Sequence, residues 1–179
     1  MKSPVNLADW ASMPLNRAEV VSGVLVPPPQ LGTHHQLAVG RLAYWLDERL
    51  TGRSAFAAVE LLLAEESLTI RVPDVVVTSL ADPNVPRLSP EDVGLVIEVL
   101  SEGTVRTDRV TKFSEYAEVG IEHYWIVDLD DPASMITYRL VDGDYENFGE
   151  HTGKVSLDFD GTPLTLDLDA LTTRRAQRP

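Results

Sequence analysis

The chain contains no cysteine among its 179 residues. Disulfide frameworks, cysteine-ligated zinc sites, redox pairs and thiol nucleophiles are therefore excluded. No stretch approaches the roughly 20 apolar residues of a membrane span, and the first ten residues lack the apolar run of a secretory signal. Hydrophobic residues make up 44% of the chain and charged residues 24%, a balance typical of soluble globular proteins. We expect one domain over residues 1–179, cytoplasmic and without a membrane partner.

Basic residues are also scarce. The sequence has 15 lysines and arginines against 28 aspartates and glutamates, which gives a net charge of −13. A chain this acidic has no broad attraction for phosphate backbones, so binding to a nucleic acid would need a local basic patch.

Several common catalytic motifs are missing. The sequence has no G-x-G-x-x-G after a strand, no G-x-S-x-G and no H-E-x-x-H. The segment GEHTGK, residues 149–154, looks like a phosphate loop, but its glycine spacing is one residue short and Val155 stands where Ser or Thr should hold magnesium. The four histidines show no spacing typical of a zinc site.

Hydrophobic periodicity predicts a mixed sheet flanked by helices. A short helix over 6–13 precedes a hairpin that turns at Ser22-Gly23. A second hairpin, near the C-terminal end, is predicted to turn at Asp142-Gly143, with strands at 135–140 and 144–148.

The segments between these hairpins form the predicted core, which has the order α-β-β-β-α-β. Its elements are a helix at 33–50, strands at 54–64, 68–79 and 94–100, a helix at 107–119 with Val110 facing inward, and a strand at 122–128. The first three strands are close enough in sequence for an antiparallel meander, and the last two form a parallel βαβ unit. The fold class is therefore predicted to be α/β, with a mixed α+β sheet.

Two acidic residues interrupt apolar strands, Asp74 in RVPDVVVTS and Glu98 in GLVIEVLS. Burying an ionised carboxylate costs several kcal/mol unless a cation or good donors compensate. Singly, Asp74 could cap a strand start after Pro73, and Glu98 could pair with an arginine. If the sheet brings both acids together, they form a hard oxygen site suited to Mg²⁺.

The helix after the Glu98 strand carries Asp108, Lys112 and Tyr116 at spacings of four, on one face. An exposed Asp–Lys pair is one interpretation of this spacing. In the second interpretation, Lys112 reaches the carboxylates of Asp74 and Glu98, because the helix must pack back over the Glu98 strand.

Four motifs in order resemble the Uma2 family, restriction endonuclease-like proteins of the PD-(D/E)XK nuclease superfamily. They are PDVVV at 73–77, LVIEVLS at 95–101, the D-x-x-x-K-x-x-x-Y pattern at 108–116 and GIEHYWIVD at 120–128. The segment AEVVSGVL, with Glu19 and Gly23, and the pair His35-Gln36 also fit the family. The resemblance implies a restriction endonuclease-like core with Asp74 and Glu98 as metal ligands.

The resemblance also implies a catalytic lysine in an unusual place. The wider superfamily has its lysine two residues after the acid, where this chain has Leu100; in the Uma2-like pattern the lysine lies on the following helix, at Lys112. Glu19 could approach the same site or pair with Arg17. His35 could contact substrate or move a proton, and Asp108 is expected to orient Lys112.

Two functions follow as hypotheses. The first is an endonuclease that hydrolyses phosphodiester bonds in DNA with Mg²⁺, for which Mn²⁺ could substitute, using Asp74, Glu98 and Lys112. The second is a non-catalytic nuclease-fold module that binds or regulates, as a homodimer. Under the first hypothesis both acids and the lysine should face one cleft. Loss of Asp74 should leave the fold as stable or more stable, because two close carboxylates repel.

Overall fold

The computed structural model describes residues 4–13, 18–79, 84–101, 103–105 and 107–173. Its helices are α1 (Leu7–Ala11), α2 (Thr33–Asp47) and α3 (Phe113–Glu118), the last preceded by a π-helical turn (Thr107–Lys112). The strands are β1 (Glu19–Val21), β2 (Val24–Val26), β3 (Ser54–Ala57), β4 (Leu61–Ala64), β5 (Thr69–Arg71), β6 (Val75–Thr78), β7 (Val93–Val99), β8 (His123–Asp128), β9 (Ser134–Val141), β10 (Asp144–Thr152), β11 (Lys154–Phe159) and β12 (Thr162–Asp167). None of the helices in these ranges is both long and apolar enough to cross a membrane.

The central sheet has six strands in the order β10-β9-β8-β7-β6-β3. Strands β3, β6 and β7 are antiparallel neighbours, and β7 and β8 are parallel, joined through α3. This arrangement confirms the predicted α-β-β-β-α-β core. The N-terminal hairpin is also confirmed, with Ser22 and Gly23 at positive φ in its turn.

The predicted strands 54–64 and 68–79 are each broken in two. Ala57 pairs with Val75 and Leu61 with Arg71, so the two segments form one hairpin that keeps its register across the break. The base of the hairpin, β3 and β6, belongs to the six-stranded sheet. Its tip, β4 and β5, belongs to a second sheet in the order β2-β1-β5-β4.

The break has a local cause in the sequence. Ala58 has a positive φ of 53°, which does not continue a strand. On the opposite side, Pro73 has no N–H to donate to a ladder. The chain therefore passes from one sheet to the other at residues 58–60 and 72–74, and Asp74 lies in this break.

The two faces of the six-stranded sheet bury different side chains. Leu95, Ile97 and Val99 pack with α2, whereas Val96 and Leu100 pack with Tyr116 of α3. Because side chains alternate along a strand, Glu98 projects to the α3 face. This face also receives Lys112.

The predicted helix 107–119 begins as a π-helix, and this changes which residues it buries. Asp108 and Lys112 are buried, whereas Val110 is 58% exposed, so the predicted inward position of Val110 is wrong. The wider turn shifts the phase of the side chains relative to a regular α-helix.

The C-terminal region contains more structure than predicted. The expected hairpin about Asp142-Gly143 is confirmed and is longer, formed by β9 and β10. A further hairpin, β11 and β12, was not predicted. Its Val155, Phe159 and Leu164 are buried in the same core as α2.

Candidate active site

A cavity of about 840 Å³ opens where the broken hairpin, the end of β7, the start of α2 and the π-helical turn meet. We call it the acidic cavity. Every candidate site residue predicted from the sequence lines it: Glu19, His35, Asp74, Glu98, Asp108 and Lys112. The fold thus brings together side chains that are up to 93 positions apart in the chain, from Glu19 to Lys112.

Asp74 and Glu98 lie beside one another at the end of the β6–β7 ladder. The register pairs Val75 with Ile97, and the next position places Asp74 opposite Glu98. Asp74 Oδ2 accepts a hydrogen bond of 2.8 Å from the backbone N–H of Val99. The carboxylate therefore takes the place of a backbone acceptor where the ladder stops at the break.

Val99 is 1% exposed, so its N–H depends on this bond. The expectation that Asp74 can be removed without loss of stability therefore changes, because removal would leave a buried donor unpaired. Asp74 directly precedes β6, as predicted for a residue at a strand start, and it also accepts a hydrogen bond from β7.

Glu98 is buried and is held by two residues of the helical segment. Its Oε1 accepts hydrogen bonds from Lys112 Nζ at 2.9 Å and from the Tyr116 hydroxyl at 2.8 Å. Its partner is thus a lysine and a tyrosine rather than the arginine considered from the sequence. Burial raises the pKa of Glu98 to about 8 against the opposing effect of Lys112.

Lys112 points into the acidic cavity and is nearly enclosed by carboxylates. Its Nζ lies 2.9 Å from Glu98 Oε1 and 3.4 Å from both Glu19 Oε1 and Asp108 Oδ1. Burial alone would lower its pKa, but these three carboxylates raise the pKa of Lys112 well above its ordinary value. The alternative of a solvated Lys112 on the outer helix face is wrong.

Asp108 faces Lys112 from the start of the π-helical turn. It is 1% exposed, and its Oδ1 accepts no hydrogen bond within the described ranges. Burial raises the pKa of Asp108 even though the neighbouring Lys112 lowers it. This position agrees with the predicted orientation of Lys112 by Asp108.

Glu19 is fixed by Arg71, which the sequence reasoning did not identify. Arg71 donates 2.7 Å bonds to Glu19 Oε2 and to Glu115 Oε2 of α3, and Glu19 Oε1 accepts from the Val72 N–H at 3.1 Å. Burial raises the pKa of Glu19, but the positive charges of Lys112 and Arg71 outweigh burial and bring this pKa below its ordinary value. Arg17, the alternative partner for Glu19, lies outside the described residues.

His35 joins α2 to the carboxylate of Asp74. Its Nε2 lies 2.9 Å from the Val99 carbonyl oxygen and 3.2 Å from Asp74 Oδ2. Because the carbonyl only accepts, Nε2 carries a proton and donates. Burial lowers the pKa of His35, but the hydrogen bond and charge of Asp74 outweigh it and raise the value.

The donor set of the acidic cavity fits a divalent cation. Four carboxylates line the cavity, and Lys112 and Arg71 are the only lysine or arginine among the described lining residues. The carboxylates thus outnumber the basic side chains at the cavity, and Asp108 Oδ1 accepts no hydrogen bond from the described residues. Hard carboxylate oxygens are the ligands that Mg²⁺ and Mn²⁺ prefer. Asp74 and Glu98 are the two ligands that the sequence predicts.

A second group of possible ligands lies where the start of β8 meets the turn between β11 and β12. Atoms of Glu122, His123 and Asp160 lie within 4.8 Å of one another. Arg139 donates to Glu122 and Arg53 to Asp160, at 2.9 and 2.7 Å, so both carboxylates already have cationic partners. None of the three lines the acidic cavity.

Two residues at the site were missed, and a further acidic residue in an apolar run, Glu60, does not line the acidic cavity. Arg71 could have been noticed as a charged residue within the apolar stretch TIRVPD, but its partners are far away in sequence. Tyr116 was recognised in the motif but was given no contact with Glu98. Glu60, also odd within an apolar run, instead accepts from Trp10 and Arg87.

The chain is similar to known proteins in sequence family and in fold. A family model named Uma2, described as "Putative restriction endonuclease", matches residues 6–170. Among solved structures, the chain is similar to one titled as a putative nuclease belonging to DUF820 from Anabaena variabilis. The TM-score is 0.71 at 16% identity, covering 94% of this chain and 98% of that one. No curated protein matches the sequence. The fold is restriction endonuclease-like, and the chain belongs to the Uma2 family.

Proposed function

We propose that this protein is a Mg²⁺-dependent endonuclease that hydrolyses phosphodiester bonds in DNA. The observation that carries the proposal is the meeting of Asp74, Glu98 and Lys112 in one cavity. Membership of a family whose description reads "Putative restriction endonuclease" supports it.

The protein groups have separate tasks in this proposal. Asp74 and Glu98 would hold the cation, with Asp74 oriented by Val99 and His35 and Glu98 by Tyr116. When bound, a divalent cation supplies Lewis-acid activation of water and neutralises charge on the phosphodiester.

Lys112 offers its ammonium to the negative charge that develops on the phosphate during hydrolysis. Glu19 and Asp108 hold the side chain on the cavity side of the helix. No covalent bond between the protein and the substrate is needed.

The acidic composition sets the conditions under which DNA is bound. The protein has a net charge of −13 and few basic side chains at the cavity. Its affinity for DNA should therefore be low and should fall quickly as ionic strength rises. Cleavage is therefore best sought at low salt, on supercoiled plasmid, where a single nick changes mobility.

Plasmid nicking with matched variants tests the proposal. The wild type should nick DNA with Mg²⁺ or Mn²⁺ and not with a chelator, and Asp74→Asn and Glu98→Gln should be inactive. Asp160→Asn removes the same charge from the second acidic group, which does not line the cavity, so it should remain active. Loss of activity in Asp160→Asn alone would move the metal to that group.

Binding of metal without cleavage of duplex DNA, single-stranded DNA or RNA would contradict the proposal. It would favour the alternative of a non-catalytic, nuclease-fold binding module acting as a homodimer. A homodimer and a cytoplasmic location both stay predictions from the sequence. Light scattering measured against protein concentration tests the first of these.

A further inference from the structure

In the arrangement that the structure shows, carboxylates surround the ammonium group of Lys112. Its Nζ donates a hydrogen bond of 2.9 Å to Glu98 Oε1 and lies 3.4 Å from a carboxylate oxygen of both Glu19 and Asp108. Its side chain is only 7% exposed. In this arrangement the ammonium compensates part of the buried negative charge, and its contact with Glu98 must loosen before it can meet a phosphate.

Glu98 is the residue that Lys112 would share with a bound cation. Lys112 and Tyr116 both contact the same oxygen of Glu98, Oε1. A divalent cation at Glu98 and the ammonium of Lys112 would repel one another across one carboxylate group. The carboxylates of Glu19 and Asp108 would still attract the ammonium and keep it in the cavity.

Glu19 is suited to retain Lys112 when Glu98 is taken. Arg71 and the Val72 N–H hold the Glu19 carboxylate in place, and Asp108 lies on the same helical turn as Lys112. Lys112 can therefore loosen its contact with Glu98 without leaving the cavity.

We propose that Lys112 is an internal counter-ion that competes with the catalytic cation for Glu98. The positive charge of Lys112 compensates the carboxylates of Glu98, Glu19 and Asp108. With a cation held at Glu98, Lys112 would loosen its contact with that carboxylate and could turn an N–H toward the phosphate. This inference rests on the proposed function and adds that metal binding and the Lys112–Glu98 contact oppose each other.

Metal affinity, measured without DNA, tests the inference. Calorimetric titration with Mg²⁺ compares the wild type with Lys112→Met, and with Lys112→Gln, which keeps hydrogen-bond donors should the methionine variant not fold. Each titration is repeated in a second buffer of different ionisation enthalpy, which gives the number of protons released on binding. The measured Mg²⁺ affinity can then be corrected for competition between protons and Mg²⁺ at Glu98. Lys154→Met is the matched control, because Lys154 is an exposed residue at the start of β11, outside the cavity lining.

Removal of Lys112 should tighten corrected Mg²⁺ binding at least about tenfold, since one opposing charge is lost beside the site, and Lys154→Met should change nothing. Binding by the Lys112 variants with none detectable in the wild type would also support the inference. If the wild type binds Mg²⁺ and the Lys112 variants bind equally or more weakly, the inference is wrong while the metal site stands. If none of the proteins binds Mg²⁺, both the inference and the proposed metal site are wrong.

Discussion

Replacing Asp74 by alanine and by asparagine separates its structural contact from its charge. Alanine removes the acceptor of the Val99 N–H, a 2.8 Å bond to a buried donor. An unpaired buried donor costs about 1–3 kcal/mol. Relief of repulsion at Glu98, whose pKa Asp74 helps to raise, offsets part of this. We expect Asp74→Ala to lose about 1–2 kcal/mol of unfolding free energy.

Asparagine keeps a side-chain oxygen for the Val99 N–H but carries no charge. Asp74→Asn should therefore lose less than about 1 kcal/mol, because only the strengthening of the bond by charge is removed. Both variants should lose metal binding and cleavage. Urea unfolding followed by tryptophan fluorescence gives the stabilities, and the plasmid assay gives the activities.

Asp128 supplies the matched control for these variants. Its carboxylate also accepts from a backbone N–H, that of Asp130, but this donor is exposed. Asp128→Ala and Asp128→Asn should differ little, since water can replace the lost acceptor. Equal stability of Asp74→Ala and Asp74→Asn would refute the role of the Val99 bond, and cleavage by either variant would refute Asp74 as a metal ligand.

Three further measurements test the network around the acidic cavity. Arg71→Leu leaves the carboxylates of Glu19 and Glu115 without their buried partner, so urea unfolding should show a loss of about 3–5 kcal/mol. Tyr116→Phe removes one of two donors to Glu98; the same assay should show a loss of about 1–3 kcal/mol, and Mg²⁺ affinity should fall. Burial raises the pKa of Glu98 to about 8 against the effect of Lys112, so below that pH protons compete with Mg²⁺ for this carboxylate. Calorimetry should then show Mg²⁺ affinity that rises with pH and levels off above about pH 8.

The local sequence was sufficient to predict the core elements. The apolar runs of β7 and β8 and the separation between them indicate a buried parallel pair, because both faces of such strands are covered. Asp74 and Glu98 were recognisable because a carboxylate within an apolar strand is costly without compensation. The choice of Lys112 depended on the helix having to pack over the preceding strand and on the resemblance to the Uma2 pattern.

Tertiary structure alone decided how these elements share their partners. The sequence predicts one long strand on each side of the hairpin from β3 to β6, yet the two halves of the hairpin join different sheets. Which sheet a strand joins depends on neighbours far away in sequence, so periodicity within the strand does not reveal it. The π-helical turn was likewise not visible in the sequence pattern. A regular α-helix was assumed there, and Val110 was therefore assigned to the buried face although it is exposed.

The contacts of the site show the same division. The sequence determined which carboxylates were out of place, since the cost of burying charge applies wherever a strand is apolar. It did not determine which cation would compensate each one. Arg71 joins β1 to α3 through Glu19 and Glu115, and Lys112 meets three carboxylates from three segments. Ion pairs of this kind depend on distances of a few ångströms between remote parts of the chain, and only the packed structure sets those distances.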